Sequence, residues 1–268
     1  MHHDSRYSHH SAQSSYSAYP LHDQQWEHDA CGTGFLAEVS GVPSHAVVQD
    51  ALDALARLTH RGAQDADAGT SDGSGLLTQL PYQLLQEELG LLSSSTSNLH
   101  EDLAVGMFFL PSQERTPTVY ERSIAVIERA IGESELRLLG WRNPPLDTNV
   151  LAPYARKTAP TIKQLLLVRP DHIPSSQYES ELYYVRRLIE QRLREAQVTD
   201  CHIASLSHKT IVYKGLLAPT ELARFYLDLA DPRYMSALAV FHQRYSTNTL
   251  PAWPLAQPMR LIAHNGEI

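Results

Sequence analysis

Apolar residues follow two different spacings along this chain, and each spacing predicts a type of element. The helical spacing, a return every three or four positions, occurs in residues 44–60, 118–131, 180–196 and 219–229. Short apolar runs bounded by turn residues predict strands at residues 34–39, 76–80, 103–110, 136–141, 164–168, 202–206, 210–214, 237–242 and 260–263. Ser44 can cap the first helix, and Pro219 suits the first turn of the last one.

Strands and helices are mixed along the chain without a strict strand–helix–strand alternation. A doubly wound parallel sheet is therefore not favoured, because its parallel strands need a helical crossover between them. Residues 207–209 lie between two predicted strands and predict the turn of a hairpin. No internal repeat is present. The pattern predicts a layered α+β domain.

The first 30 residues differ in composition from the rest of the chain. They are rich in Ser, His, Tyr and Gln and contain almost no aliphatic residues, so they cannot bury enough surface to become ordered. They lack the apolar core of a secretory signal, and Arg6 is their only Arg or Lys. We therefore expect a disordered leader or propeptide in residues 1–30 and a folded domain in residues 31–268.

Overall composition excludes several classes of protein. Hydrophobic residues make up 43% of the 268 residues and charged residues 19%, which is typical of a globular protein. A net charge of −8 argues against a general affinity for nucleic acid or anionic membranes. No apolar run approaches the roughly 20 residues that a membrane helix needs. Two cysteines, Cys31 and Cys201, allow at most one disulfide, which favours a reducing, cytoplasmic location.

Cys31 lies in an unusual setting, DACGTGF, at the start of an apolar run. A thiol attacks as its thiolate, so a nucleophilic cysteine needs a nearby base or a lowered pKa. If the peptide bond before Cys31 were cut, its own α-amino group, with a pKa of about 7.7–8.0, would become that base. The small Ala30 fits such processing, and Gly32 would let backbone and substrate approach closely. These residues alone also leave open a buried structural cysteine.

Two other segments offer weaker signals for chemistry. The stretch DADAGTSDGSG is rich in turn residues, but it lacks a Gly-Lys-Ser/Thr ending and leads into a strand, so phosphate binding is not favoured. Asp72 within it is interpreted as turn-forming, with a supporting role at a site as the alternative. Cys201 and His202 supply only two ligands, too few for a metal ion, so we predict no metal site.

Four segments carry a resemblance to a known family: DACGTGF, HRGAQDADAGTSDGSGLLTQLP, TIVYKGLLAPTELARFYLDL and FHQRYSTNTLPAWPLAQPMRLIAHNGEI. Together they resemble the class II glutamine amidotransferase domain of glutamate synthase large subunits. The resemblance covers residues 27–268, and the prolines around Trp253 point to glutamate synthase in particular. It implies the four-layer αββα sandwich of the N-terminal nucleophile hydrolases, in which two antiparallel sheets stack face to face between helices. The family's domain continues past the position of Ile268, so this fold would be incomplete at its C-terminus.

The resemblance also implies roles for particular residues. Cys31, exposed by loss of residues 1–30, would attack the side-chain amide carbon of glutamine, while its α-amino group carries the proton. The Asn265 side-chain amide and the Gly266 N–H match the family's oxyanion hole, whose donors stabilise the tetrahedral intermediate. Arg244 matches the arginine that binds the glutamine α-carboxylate, a group that its planar fork suits.

Further positions receive secondary roles from the same resemblance. The hydroxyl groups of Ser246 and Thr247 and the backbone of His264 would help to hold the substrate. Three residues would support the site by ordering the loops around the nucleophile or by allowing close approach: Arg61, Gly32 and Asp72. Thr33 departs from the family, which commonly has an apolar residue there, and its hydroxyl has no assigned partner.

The resemblance thus predicts glutamine hydrolysis that supplies ammonia for glutamate formation from 2-oxoglutarate. Two alternatives stay open: an amidotransferase of the same class that feeds a phosphosugar or phosphoribosyl acceptor, and an inactive glutamine-binding module. No cofactor is expected in this segment, whereas FMN and an iron–sulfur cluster are implied for the full-length enzyme. The implied partners are the synthase domains of the same chain and, further, a small reductase subunit. Weak or no activity is expected from this chain alone.

Overall fold

A computed structural model describes residues 32–61, 71–90, 102–243 and 251–261 of the chain. These residues contain eight strands: β1 (Gly32–Ala37), β2 (Ser74–Gln79), β3 (Leu103–Leu110), β4 (Arg137–Arg142), β5 (Thr161–Val168), β6 (His202–Ser207), β7 (Thr210–Gly215) and β8 (Leu238–Gln243). One sheet has the order β1–β8–β2–β7 and the other the order β4–β5–β3–β6. Every pair is antiparallel. The α+β class and the two antiparallel sheets are confirmed.

The same ranges contain six α-helices: α1 (His45–Arg57), α2 (Tyr82–Glu88), α3 (Pro117–Gly132), α4 (Pro153–Thr158), α5 (Ser175–Glu195) and α6 (Leu222–Phe225). The helix α1 begins where the sequence predicts, because the Ser44 hydroxyl accepts a hydrogen bond from the Val47 N–H at 3.4 Å. Pro117 occupies the first turn of α3, where a missing N–H is tolerated. None of the helices in the described part of the chain is long and apolar enough to cross a membrane.

Two hydrophobic clusters hold these elements together. The larger cluster contains residues of both sheets, together with α1, α2 and Trp253. The smaller one joins the second sheet to one face of α3 and of α5. On α5 the buried residues recur every three or four positions, which places them on one face of the helix: Tyr178, Leu182, Val185, Ile189 and Leu193.

The predicted hairpin at residues 202–214 is wrong in its pairing. Both strands form, but β6 pairs with β3 in the second sheet, whereas β7 pairs with β2 in the first. The β3–β6 register shifts between Met107 and Phe108, which marks a bulge. Near this point the Ser205 hydroxyl accepts a hydrogen bond from the Val212 N–H at 3.1 Å. Pairing with strands distant in sequence therefore replaces the local pairing.

The helix predicted over residues 219–229 is broken into three short pieces. Two 3-10 turns, Pro219–Glu221 and Leu227–Ala230, flank α6. Between α6 and the second turn, Tyr226 is extended, with φ −94° and ψ 92°, and its buried hydroxyl donates to the Lys214 carbonyl at 2.8 Å. Burial of this side chain takes precedence over helical propensity. The strand predicted at residues 260–263 is also not seen in Arg260 and Leu261, which form bends, and its last two residues lie outside the described part of the chain.

Candidate active site

One end of the first sheet brings together the strands next to the predicted nucleophile and the predicted substrate arginine. Gly32, the first residue of β1, lies opposite Gln243, the last residue of β8. Cys31 is bonded to Gly32 and Arg244 is bonded to Gln243. Cys31 and Arg244 themselves lie outside the described residues. The sheet therefore places their immediate neighbours side by side, although their roles stay predictions.

The start of β2 belongs to the same end of the sheet. Ser74 lies opposite Gln243 on one side and opposite Gly215 on the other. The buried Gln243 donates from Nε2 to the Ser71 hydroxyl at 3.4 Å, and that hydroxyl also accepts from the Gly73 N–H at 3.4 Å. The loop before β2 is thus tied to the strand that precedes Arg244. Sequence reasoning missed Ser71 and Gln243, although a buried amide at the end of an apolar strand is a signal that could have found the second.

Two of the predicted supporting residues and Thr33 lie at this end. A Cβ on Gly32 would come within 2.9 Å of the Leu58 Cδ1, so the start of β1 packs directly on the chain that follows α1. Asp72 lies in the tied loop between Ser71 and Gly73 and is partly buried. The Thr33 hydroxyl donates to the Phe241 carbonyl at 3.2 Å, which accounts for that polar group.

The other predicted site residues lie outside the part of the chain that the structure describes. They are Ser246, Thr247, His264, Asn265 and Gly266. Arg61 is the last residue of the 3-10 turn Thr59–Arg61, but the structure does not describe its side chain. All of these roles remain predictions.

The segment 251–261, between the two groups of predicted site residues, is described. Trp253 is buried, and its indole N–H donates to the Ala155 carbonyl at 3.2 Å. Its ring packs against Phe109 and Phe225, with centroids 6.0 and 5.8 Å away. Trp253 therefore packs the segment 251–261 against the body of the domain.

Cys201 has the properties of an unreactive thiol. Burial raises the pKa of Cys201 to about 12, so the thiolate is scarce at neutral pH. Burial, together with the charges of Lys214 and Arg186, lowers the pKa of His202 to about 3, so the imidazole stays neutral. Within the described ranges, no group of three or more His, Cys, Asp and Glu residues could hold a metal ion. The second cysteine of the chain is therefore a poor candidate for the nucleophile.

Lys214 is a further polar residue that sequence reasoning missed. It lies in β7 with no exposed surface, and its Nζ donates to the Pro254 carbonyl at 2.7 Å. Burial, and then the nearby charge of Arg186, lowers the pKa of Lys214 to about 7. A lysine in the otherwise apolar strand TIVYKG is the signal that could have found it.

Comparison with known families shows which family the chain belongs to. Residues 31–268 match the family described as class II glutamine amidotransferases. The chain belongs to this family. The match begins at Cys31, the residue that the sequence marks as a candidate nucleophile.

Three relatives of this amidotransferase chain are glutamate synthases. It is 41% identical over 256 residues to ferredoxin-dependent glutamate synthase 2 of Synechocystis sp., an alignment that covers 93% of this chain and 16% of the relative. It is 39% identical over 242 residues to the large chain of the NADPH glutamate synthase of Azospirillum brasilense, covering 90% and 16%. It is 36% identical over 260 residues to the NADH glutamate synthase of Schizosaccharomyces pombe, covering 94% and 12%. The chain thus spans about a sixth of the length of the first two relatives.

Proposed function

We propose that this chain hydrolyses glutamine through Cys31 as an N-terminal nucleophile, after loss of residues 1–30. The observation that carries the proposal is the family match, which begins at Cys31 and extends to the end of the chain. The pairing of Gly32 with Gln243 supports it, because the chain leaves these two positions toward Cys31 and Arg244. We further propose that the released ammonia serves glutamate formation, since the relatives are named glutamate synthases, and that 2-oxoglutarate is the acceptor, as the family resemblance implies.

In the proposed reaction the Cys31 sulfur attacks the side-chain amide carbon of glutamine, and the α-amino group accepts the thiol proton. The tetrahedral intermediate collapses when the carbon–nitrogen bond breaks, and the same group returns a proton to the departing ammonia. Water then cleaves the resulting thioester, which releases glutamate and regenerates the thiol. One group near its working pKa can perform both transfers, because a free α-amino group titrates at about 7.7–8.0.

The remaining predicted residues would bind charge and position the substrate. The Asn265 amide and the Gly266 N–H would donate to the oxyanion, and loss of one such donor typically costs about 2.7–4 kcal/mol of barrier. Arg244 would bind the α-carboxylate through two parallel hydrogen bonds. Ser246 and Thr247 would add hydroxyl donors to the substrate. We also propose the four-layer αββα arrangement for the domain, which the two antiparallel sheets and the helices packed on them support.

The redox groups of a glutamate synthase do not fit this segment. Iron–sulfur clusters are typically held by several cysteine thiolates, but this chain has two cysteines, and burial raises the pKa of Cys201 to about 12. We therefore assign an iron–sulfur cluster and FMN to other domains of such an enzyme, which would be partners of this one together with a small reductase subunit. The low cysteine content favours a cytoplasmic location.

The test joins intact-mass analysis to covalent labelling. We expect the mature protein to begin at Cys31 and to be modified once by a glutamine analogue that carries a diazoketone in place of the side-chain amide. Cys31→Ala should abolish the label, while Cys201→Ala, the matched control, should not reduce it. A protein that keeps its first 30 residues and still reacts at Cys31 would refute the α-amino group as the base. Labelling that persists in Cys31→Ala would refute the nucleophile.

A further inference from the structure

Lys214 is buried without an acidic partner in the described part of the chain. Its Nζ lies 2.7 Å from the Pro254 carbonyl oxygen and 3.5 Å from the Met259 sulfur. Burying an ammonium group without a carboxylate partner costs free energy, so an aliphatic residue at this strand position would give a more stable folded state. The position of Lys214 therefore calls for a specific interaction, and the contact with Pro254 provides one.

The residues around Lys214 are shaped to receive the segment 251–261. Gly75 lies directly opposite Lys214 in the sheet, and a Cβ on Gly75 would overlap the Gln257 carbonyl oxygen. Gly215 follows Lys214, and a Cβ there would come within 2.5 Å of the Trp253 ring. The two glycines let the segment approach the backbone of β2 and β7 closely. Lys214 is adjacent to both glycines, and its Nζ donates a hydrogen bond to the same segment.

The position of this segment in the chain links it to the candidate site. Three residues predicted to bind substrate precede it: Arg244, Ser246 and Thr247. His264, whose backbone is predicted to help hold the substrate, and the predicted oxyanion residues Asn265 and Gly266 follow it. A displacement of the segment 251–261 would therefore move the chain ends from which both groups of predicted site residues extend. A misplacement of about 1 Å far from the chemistry can lower a rate about 100-fold.

We propose that Lys214 is a positioning residue for the glutamine site: its Nζ fixes the Pro254 carbonyl and thereby the segment 251–261, which connects the predicted substrate-binding residues to the predicted oxyanion residues. The proposal rests on the function proposed above. Lys214 itself takes no part in bond making or proton transfer.

The first test measures labelling of Cys31 by the diazoketone analogue in Lys214→Met, which removes the donor and keeps a similar volume. We expect the second-order labelling rate constant to fall at least tenfold, while the free energy of unfolding at pH 7 stays equal to or above that of the wild type, since a buried amine has been removed. Lys209→Met is the matched control, because Lys209 is exposed in the β6–β7 turn, and it should leave the rate within twofold. An unchanged rate in Lys214→Met would overturn the proposal. A parallel fall in rate and unfolding free energy would also overturn it, because that result indicates a structural role.

The second test does not depend on glutamine chemistry. The amide N–H groups of Leu255 and Ala256 donate to the Ala252 carbonyl, and the Met259 N–H donates to the Gln257 side chain. Hydrogen exchange of peptides from residues 251–261 should be at least tenfold faster in Lys214→Met than in Lys209→Met. Equal hydrogen-exchange rates in the two variants would refute the role of Lys214 in fixing the segment 251–261, even if Cys31 of the wild type is labelled. A wild type that is not labelled would refute the proposed function. The hydrogen-exchange result would then still show whether Lys214 fixes the segment 251–261.

Discussion

The Asp228→Asn substitution should lower the free energy of unfolding by up to about 3–5 kcal/mol, because it removes the more deeply buried of the two carboxylates that pair with Arg142; the other, Glu88, is 33% exposed. The carboxylate of Asp228 accepts hydrogen bonds from two nitrogens of Arg142 at 2.8 and 2.7 Å and from the Tyr213 hydroxyl at 2.8 Å. The side chains of Arg142 and Asp228 are only 6% and 2% exposed. Burial alone would lower the pKa of Arg142, and Asp228 is the main cause that raises it above its ordinary value. In Asp228→Asn an amide N–H replaces one acceptor oxygen, so donors face donors in a site that water does not reach.

Glu133→Gln is the matched control for this substitution. Glu133 also pairs with an arginine, Arg192, but the two side chains are 37% and 34% exposed. Surface ion pairs contribute little, so this variant should unfold almost as the wild type does. Urea unfolding at pH 7 measures both variants, and the loss in Asp228→Asn corresponds to a fall in Tm of roughly 6–20 °C. Equal stabilities for the two variants would refute the assignment of Asp228 as the counter-ion of a buried arginine.

Three further substitutions probe other parts of the structure. Burial lowers the pKa of Lys214 from 10.5 to about 7. The free energy of unfolding of the wild type should therefore fall as the pH drops from about 10 to 7, by up to about 1.4 kcal/mol per pH unit. Urea unfolding of Lys214→Met should not show this pH dependence. Gly75→Ala should destabilise the protein in the same assay because its Cβ would overlap the Gln257 carbonyl, whereas Gly132→Ala, with open space around the added Cβ, should not. Burial would raise the pKa of Glu179, but hydrogen bonds from the β6–β7 turn lower it to about 2, so Glu179→Gln should remove the part of acid unfolding that develops between about pH 4.5 and 2.

Elements governed by local signals were predictable from the sequence. The strand β3 has the predicted bounds, because it is apolar throughout and buried on both faces. The helix α1 has a capping serine and a regular apolar stripe, and its predicted start is confirmed. The short helices α2 and α4 were missed, since seven and six residues are too few for a clear helical period.

Elements governed by distant contacts were not predictable. The turn between β6 and β7 has the local appearance of a hairpin, but the strands pair with β3 and β2. The helix predicted over residues 219–229 is interrupted because the Tyr226 hydroxyl binds the Lys214 carbonyl and Asp228 pairs with Arg142. Neither partner lies close enough in sequence to affect a local pattern.

The candidate site shows the same division. The sequence indicated Cys31 through its chemistry and Arg244 through the family resemblance. The family match confirms the resemblance, whereas the roles of both residues stay predictions. It did not indicate Gln243 or Lys214, because each appears in sequence as a polar residue within a strand. The sequence can mark them as unusual strand residues, but their partners become visible only with the hydrogen bonds to Ser71 and to the Pro254 carbonyl.

The register of the first sheet is what joins the two halves of the candidate site. A slip of one residue between β1 and β8 would turn every side chain of β1 to the opposite face. This slip is opposed by Gly34 and Phe241, which lie opposite each other, because the Phe241 ring occupies the space that a Cβ on Gly34 would need. With any larger residue at position 34 the ring would have to move, and the pairing of Gly32 with Gln243 would lose this constraint. Since the chain continues from those two residues to Cys31 and Arg244, the fit of the Phe241 ring over Gly34 contributes to the register from which the chain reaches both predicted site residues.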